Sequence, residues 1–157
     1  FEDPLEVFGQ YLEAHPELSN ERLLEEISER GLRRDKAVAV LVQVLFAQDF
    51  CAVLKTRSSL LARLLESEKE QLAFLGALDR LAALVNPRLV ALGPVILQQA
   101  YALDLVEEEV LLDWRDHPSR RFVTAEQAAP LRKACQPFFQ WLEQEDDEEE
   151  SDEDDEE

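Results

Sequence analysis

Apolar residues in this chain return every three or four positions and do not alternate, a spacing that restricts it to helices almost from end to end. Only four glycines occur, and no Asn-Gly or Asp-Gly pair marks a hairpin turn. Leu23, Leu24 and Ile27 form a stripe over residues 19–30, which Gly31 can close. Val38, Leu41, Val42, Leu45 and Phe46 share a face over residues 35–54, followed by Phe50, Val53 and Leu54. Ser58 or Ser59 can start a helix carrying Leu60, Leu61, Leu64 and Leu65. Three pairs have capping-box spacing: Ser67 with Glu70, Asp104 with Glu107, and Thr124 with Gln127. Pro87 and the Gly93-Pro94 pair divide the stretch before Tyr101 into two pieces, Pro130 kinks the helix leading to Ala134, and Pro137 restarts it. The expectation is an all-α protein of seven to nine helices, roughly 10–18 residues each, stacked as antiparallel hairpins into a solenoid, with a compact irregular bundle as the alternative.

Charge divides the chain in two. Lys and Arg number 16 and Asp and Glu 35, for a net charge of −19. Residues 143–157 hold thirteen of those carboxylates, which leaves residues 1–142 with 16 cations against 22 acids, a net of −6. From about Gln144 nothing apolar remains and like charges repel, so the sequence predicts a helical domain over 1–143 and a disordered acidic tail over 144–157. Such a surface repels nucleic-acid phosphate and anionic lipid and attracts basic protein segments. No apolar run reaches the length of about 18 residues that a membrane span needs. With Phe1 at its start and no methionine, the chain reads as a fragment of a longer protein.

A search for catalytic chemistry finds little to use. His15 and His117 each precede a proline in polar surroundings and read as exposed loop histidines. Cys51 and Cys135 lie far apart without a histidine or cysteine at ligand spacing, and read as small hydrophobes in a reducing compartment. There is no phosphate-binding glycine loop and no nucleophile elbow. No cofactor or metal is expected, and the sequence reads as a binding module rather than an enzyme.

Two segments place large aromatics inside acid runs. One is Tyr101-Ala-Leu-Asp104-Leu-Val-Glu107-Glu108-Glu109-Val-Leu-Leu-Asp113-Trp114; the other is Pro137-Phe138-Phe139-Gln-Trp141-Leu142-Glu143, which leads into the tail. Glutamates at a helix start suit the macrodipole. On a helix, Val106, Val110, Leu111 and Trp114 share an inward sector while Glu108, Glu109 and Asp113 point outward. Each aromatic taken singly fits a core position as readily as a binding anchor. Together with the acids, the clusters suit a lysine-rich peptide, which needs carboxylates for its ammonium heads and aromatic surface for its long stems.

These two segments resemble the acidic-aromatic boxes of the two-tryptophan C-terminal domains found in translation initiation factor 5, the ε subunit of the exchange factor 2B, the factor-5-mimic regulators and some scaffolding factors of the 4G group. The joining segment, from Pro118 through Arg120, Arg121 and Thr124 to Arg132 and Lys133, is closer to factor 5 than to the ε subunit, and residues 38–46 and 88–101 are similar to the family's middle helices. The resemblance implies a stack of HEAT-like hairpins. It also implies a cytoplasmic, monomeric scaffold that binds lysine blocks of the initiation factor 2 β subunit and contacts initiation factors 1 and 3. A nucleotide-exchange module like the ε subunit, a factor-5-mimic regulator and a generic acidic chaperone are the alternatives. The ε-type role would need acids in the early helices, where the match is thinnest.

Carried over by position, Glu107, Glu108, Glu109, Asp113 and Trp114 belong to the first box. Phe138, Phe139, Trp141, Glu143, Glu145, Asp146 and Asp147 belong to the second. The exposed acids are the expected contacts. Arg120, Arg121, Arg132 and Lys133 form the expected second, basic surface, leaner than the lysine-rich segment usual in factor 5. Ser151, followed by Asp152, Glu153 and Asp154, fits an acidophilic kinase site.

Overall fold

The computed structural model describes residues 3–155, with side chains through Glu145. Ten α-helices appear among the described residues: α1 (Pro4–Ala14), α2 (Asn20–Glu29), α3 (Arg34–Leu45), α4 (Phe50–Thr56), α5 (Ser58–Leu64), α6 (Glu68–Arg80), α7 (Arg88–Ala102), α8 (Glu108–Asp116), α9 (Ala125–Ala134) and α10 (Gln136–Asp155). A π-helical turn over Leu81–Val85 joins α6 to α7. The helices stack as antiparallel hairpins. Helix α3 lies between α1 and α6, α2 packs on α5, α4 on α7, and α6 continues the stack onto α8 and α9. Helix α7 meets both α9 and α10.

The predicted stripes form the core. Val38, Leu41 and Val42 of α3 face Phe74, Leu75 and Leu78 of α6, all essentially inaccessible to solvent. Phe46, Phe50 and Phe74 meet edge to face with centroids 5.0, 5.8 and 6.4 Å apart, the geometry that ring quadrupoles favour. Truncating one such ring to alanine costs about 3–5 kcal/mol. Arg57 ties the α1–α2 connection to the start of α5, donating to Leu18 O at 2.6 Å, Asn20 Oδ1 at 2.9 Å and Pro16 O at 3.0 Å.

Helix ends follow the sequence in some places and depart from it in others. Gly31, with φ of 65°, closes α2 in a Schellman arrangement: Leu32 N donates to Ile27 O and Gly31 N to Ser28 O. Thr124 and Gln127 form the reciprocal capping box that opens α9. The pair at Ser67 and Glu70 does not, because the Ser67 hydroxyl is bound to the Glu70 carboxylate instead of the backbone. Asp104 caps nothing. It adopts φ of 58° and ends α7, with Leu105 N donating to Ala100 O and Asp104 N to Tyr101 O, and α8 starts only after Glu107. Aspartate tolerates the left-handed region better than most residues, which lets it stand where glycine is usual.

Gly93 and Pro94 do not split α7, which runs unbroken through both. Gly93 is there for close approach: a Cβ would lie 2.7 Å from Cys135 Sγ and 2.8 Å from Leu131 Cδ1. Pro130 likewise lies within α9, while Pro137 sits in the first turn of α10, where its missing N–H costs nothing. Among the residues with described side chains the last buried one is Leu142, yet α10 continues as helix to Asp155 where the sequence predicts disorder. Glutamate is a good helix former, and a helix already nucleated by packed turns propagates at little further cost against like-charge repulsion of a few tenths of a kcal/mol per pair.

Two glycines in helices should respond oppositely to alanine. Gly93→Ala should lower stability by roughly 1–3 kcal/mol through overpacking. Gly9→Ala, whose Cβ would meet Val40 at an ordinary 3.5 Å, should raise it by about 0.5–1 kcal/mol. Urea denaturation of the two variants measures both signs.

Candidate functional site: acids around an aromatic seam

The first box folds so that its tryptophan turns inward. Helix α8 buries Val110, Leu111 and Trp114, and Trp114 is only 3% exposed. Trp114 Nε1 donates to Asp79 Oδ2 at 2.9 Å. Asp79, on α6, is also bound by the Arg132 guanidinium from α9, which lies 3.8 Å from the Trp114 ring centroid and donates to Trp114 O at 3.1 Å. One residue from each of three helices thus forms a buried node. Burial pushes the Asp79 carboxyl up, against the downward pull of its bonds from Arg132 and Trp114.

The second box packs against the first. Phe138 and Phe139 are buried; Trp141 is half-buried. Ring contacts run continuously from Trp114 to Phe139 at 6.3 Å, Phe139 to Phe138 at 5.3 Å, Phe138 to Trp141 at 5.9 Å and Trp141 to Tyr101 at 6.1 Å. Arg115 clasps the boxes from outside, with Nε 2.8 Å from Asp116, Nη1 2.9 Å from Glu143, and its guanidinium 5.2 Å from the Phe139 centroid. Its hydrogen bond pulls the Asp116 carboxyl below the usual range.

The expected contact acids have different fates. Glu107 and Glu109 are exposed at the start of α8, where Glu107 N donates to Gln71 Oε1 at 3.0 Å, and Glu108 is half-buried. Asp113 is exposed and lies 3.1 Å from His117 Nδ1. Glu143 is exposed but held by Arg115, and Glu145 is exposed. Asp146, Asp147 and Ser151 lie on α10 beyond the described side chains.

The four basic residues do not form one surface. Arg132 is spent in the buried node, its side chain 10% exposed. Lys133 faces the groove among α8, α9 and α10, and Arg121 lines a separate pocket between α3 and α6 with Lys36, Lys69 and Arg80. Arg120 is exposed beside it. A helix turns by about 100° per residue, which lets Arg132 point inward to Asp79 while its neighbour Lys133 faces the groove.

Sequence reasoning missed Asp79 and Arg115, while Tyr101, which opens the first aromatic-acid segment, joins the seam through Trp141. Asp79 had a visible signal, a carboxylate interrupting the apolar face of α6 between Leu78 and Leu81, where a charge needs a partner. Among the described residues no cluster of His, Cys, Asp or Glu could hold a metal ion, and no helix is long and apolar enough to cross a membrane. Cys135, with its thiol pushed up to about 12 by burial, and Cys51 are both free.

A helical-hairpin stack that carries two acidic-aromatic boxes on its last packed helices defines a class of protein-docking domain. Residues 70–153 match the W2 family, described as eIF4-gamma/eIF5/eIF2-epsilon, and the chain belongs to this family. It is 29% identical to probable eukaryotic translation initiation factor 5 of Schizosaccharomyces pombe over 86% of the chain and 35% of that protein. It is 31% identical to eukaryotic translation initiation factor 5 of Saccharomyces cerevisiae, over 88% of the chain and 34% of that protein. The mouse factor 5 is 32% identical over 67% of the chain and 25% of its own length. The chain thus spans about a third of the length of the two yeast relatives. Among solved structures, the C-terminal domain of translation initiation factor 5 at low pH superposes with a TM-score of 0.87 at 30% identity, covering 98% of both chains. These likenesses give the chain the fold of the factor 5 C-terminal domain.

The node supplies a test of the site's architecture. Arg132→Met strands a buried carboxylate and should cost about 3–5 kcal/mol, part of which Asp79→Asn in the same chain restores. Without Arg132 the folded-state pKa of Asp79 rises further above its unfolded value of about 3.9. That penalty is fully present above the folded pKa and is relieved as pH falls through it towards the unfolded value. The deficit of Arg132→Met against the native chain should therefore shrink between pH 7 and pH 4 in parallel denaturant titrations.

Proposed function

We propose that this domain is a cytoplasmic, monomeric adaptor rather than an enzyme, and that it holds initiation factors together by gripping lysine-rich segments. The segments it suits are the lysine blocks of the initiation factor 2 β subunit, with initiation factors 1 and 3 as further partners. What supports this reading is the sorting of each box: the aromatics pack inward as a rigid seam, while Glu107 and Glu109 stay exposed at its edge. Nine residues of α8 rise by about 13 Å, so these acids and the Arg115 clasp stand at opposite ends of one short, rigid helix.

A lysine-rich peptide then meets two kinds of acid. Among the described residues Glu107, Glu109 and the exposed Glu145 form no ion pair that a lysine would have to break, whereas Glu143 and Asp116 must first leave Arg115. Each exposed pair contributes roughly 0–1 kcal/mol, so useful affinity comes from several at once and from faster encounter. Lysine stems can lie along the half-exposed faces of Tyr101 and Trp141. In this reading the packed domain ends at about Glu143, and the acids that follow it along the chain serve as an electrostatic lure, with Ser151 as a phosphorylation site that adds to it.

Calorimetric titration with a peptide carrying one lysine block of the initiation factor 2 β subunit tests the reading. Joint reversal of Glu107, Glu108 and Glu109 to lysine should weaken binding by at least roughly tenfold, and truncation after Gln144 by a comparable factor. Both losses should appear at low salt and fade as ionic strength approaches about 0.5 M. Unchanged affinity in both variants, with helical circular dichroism intact, removes the acidic boxes as the docking surface.

A further inference from the structure

Among the described residues, all five large hydrophobic side chains that stand exposed, Leu84, Val85, Leu92, Val95 and Leu103, fall within one segment. Residues 81–103 contain a single charged residue, Arg88, in a chain with 16 basic and 35 acidic residues. On α7 the exposed positions Arg88, Ala91, Leu92, Val95, Gln98 and Ala102 recur at helical spacing and share one face, opposite the buried Leu89, Ile96 and Leu97. A scattered exposed leucine needs no explanation; a continuous uncharged stripe on so acidic a protein does.

The backbone builds this stripe deliberately. Asn86 N donates to Leu81 O at 2.6 Å, five residues back, and the widened turn leaves Leu84 and Val85 53% and 60% exposed. Two side-chain amides pin the neighbouring wall: Asn86 Nδ2 donates to Ala47 O at 3.0 Å, and Gln99 Nε2 to Cys51 O at 3.4 Å. Between α4 and α7 this leaves a groove floored by Phe50, Cys51, Val85, Leu89 and Leu92, with Asp49 and Arg88 on its rim.

We propose that this groove and the α7 stripe dock an amphipathic helix of a partner protein, with apolar anchors at i, i+3 or i+4, and i+7 and an acidic side chain opposite Arg88. The fifteen residues of α7 are about 22 Å long, enough to seat four turns of a partner helix. The α7 stripe has no carboxylate to offer an ammonium group, and Asp49 on the groove's rim caps α4 by accepting from Ala52 N at 3.3 Å, so the occupant differs from the lysine-rich segments of the boxes. A second copy of this chain fits poorly: a stable dimer needs about 20–30 residues per side, and widening the contact beyond the stripe would bring two net-acidic bodies together.

The probe is a fluorescein-labelled 16-residue helical peptide with leucines at helical spacing and one glutamate in its first turn, compared with a peptide of the same composition whose leucines are scattered. The patterned peptide should bind the intact chain, change affinity by less than about twofold between low and moderate salt, and shield the half-buried Cys51 from alkylation. Val95→Glu, at an exposed position, and Leu92→Gln should each weaken it by roughly tenfold or more. Reversal of Glu107, Glu108 and Glu109 to lysine should leave it unchanged, which separates this surface from the adaptor reading. Equal binding of both peptides, unshielded Cys51, or full affinity in the Val95→Glu and Leu92→Gln variants overturns the proposal. So does a concentration-dependent dimer in sedimentation that Val95→Glu dissolves, because a second copy would then cover the stripe.

Discussion

A carboxylate on the inner face of α6 sets the terms for the last third of the molecule. Asp79 could not remain charged there alone, since taking an ion out of water costs several kcal/mol. Arg132 and the Trp114 indole N–H both reach it, and in doing so they fix α9 and α8 against α6. The guanidinium also stacks on the indole and caps the Trp114 carbonyl, so one side chain reads the position of two helices. Its Nε is buried without a partner, a cost the node carries for that geometry. With Trp114 anchored, the rotation of α8 follows: Glu107 and Glu109 must face solvent because Val110, Leu111 and Trp114 face the core.

The aromatic seam gives the second box its place without a comparable buried charge. Phe138 and Phe139 fill the space beside Trp114, and Trp141 reaches Tyr101 at the end of α7. Arg115 covers this seam from the solvent side and holds Asp116 and Glu143. It is half-buried but its carboxylate partners are exposed, so its ion pairs hold the boxes together weakly and can open to a competing cation. The buried node is the permanent joint and the Arg115 clasp the exchangeable one.

Much of this was legible in the sequence. The helical class followed from spacing, the stripes of α3 and α5 became core, and Gly31 and Thr124 behaved as helix-end signals should. The misreadings share a cause: local signals were outvoted by contacts far along the chain. Gly93-Pro94 looks like a break, but Gly93 answers to Leu131 and Cys135, and the packing of α7 on α9 carries the helix through. Asp104 looks like a helix start and is a helix stop, because either role uses a small polar residue. Arg132 looks like surface beside Lys133, and only the unpartnered look of Asp79 on α6 hinted that it was needed inside. The position of the boxes could be read, but not which box residues would face water.

The surface that results is divided by charge to an unusual degree. Acids mark the start of α8 and α10 from Glu143 onward, while residues 81–103 present a nearly uncharged helix whose end touches the same aromatic seam through Tyr101. Charged and uncharged sectors do different physical work. The acids act over about a Debye length, raising encounter with basic segments and losing force in salt, whereas an apolar stripe acts only on contact and is indifferent to ionic strength. Neither sector compromises the other, because the same α7 that exposes Leu92 and Val95 uses Leu89, Ile96 and Leu97 to hold the core. A single helix stack can therefore present surfaces of opposite chemistry at once, provided that the joints behind those surfaces stay closed.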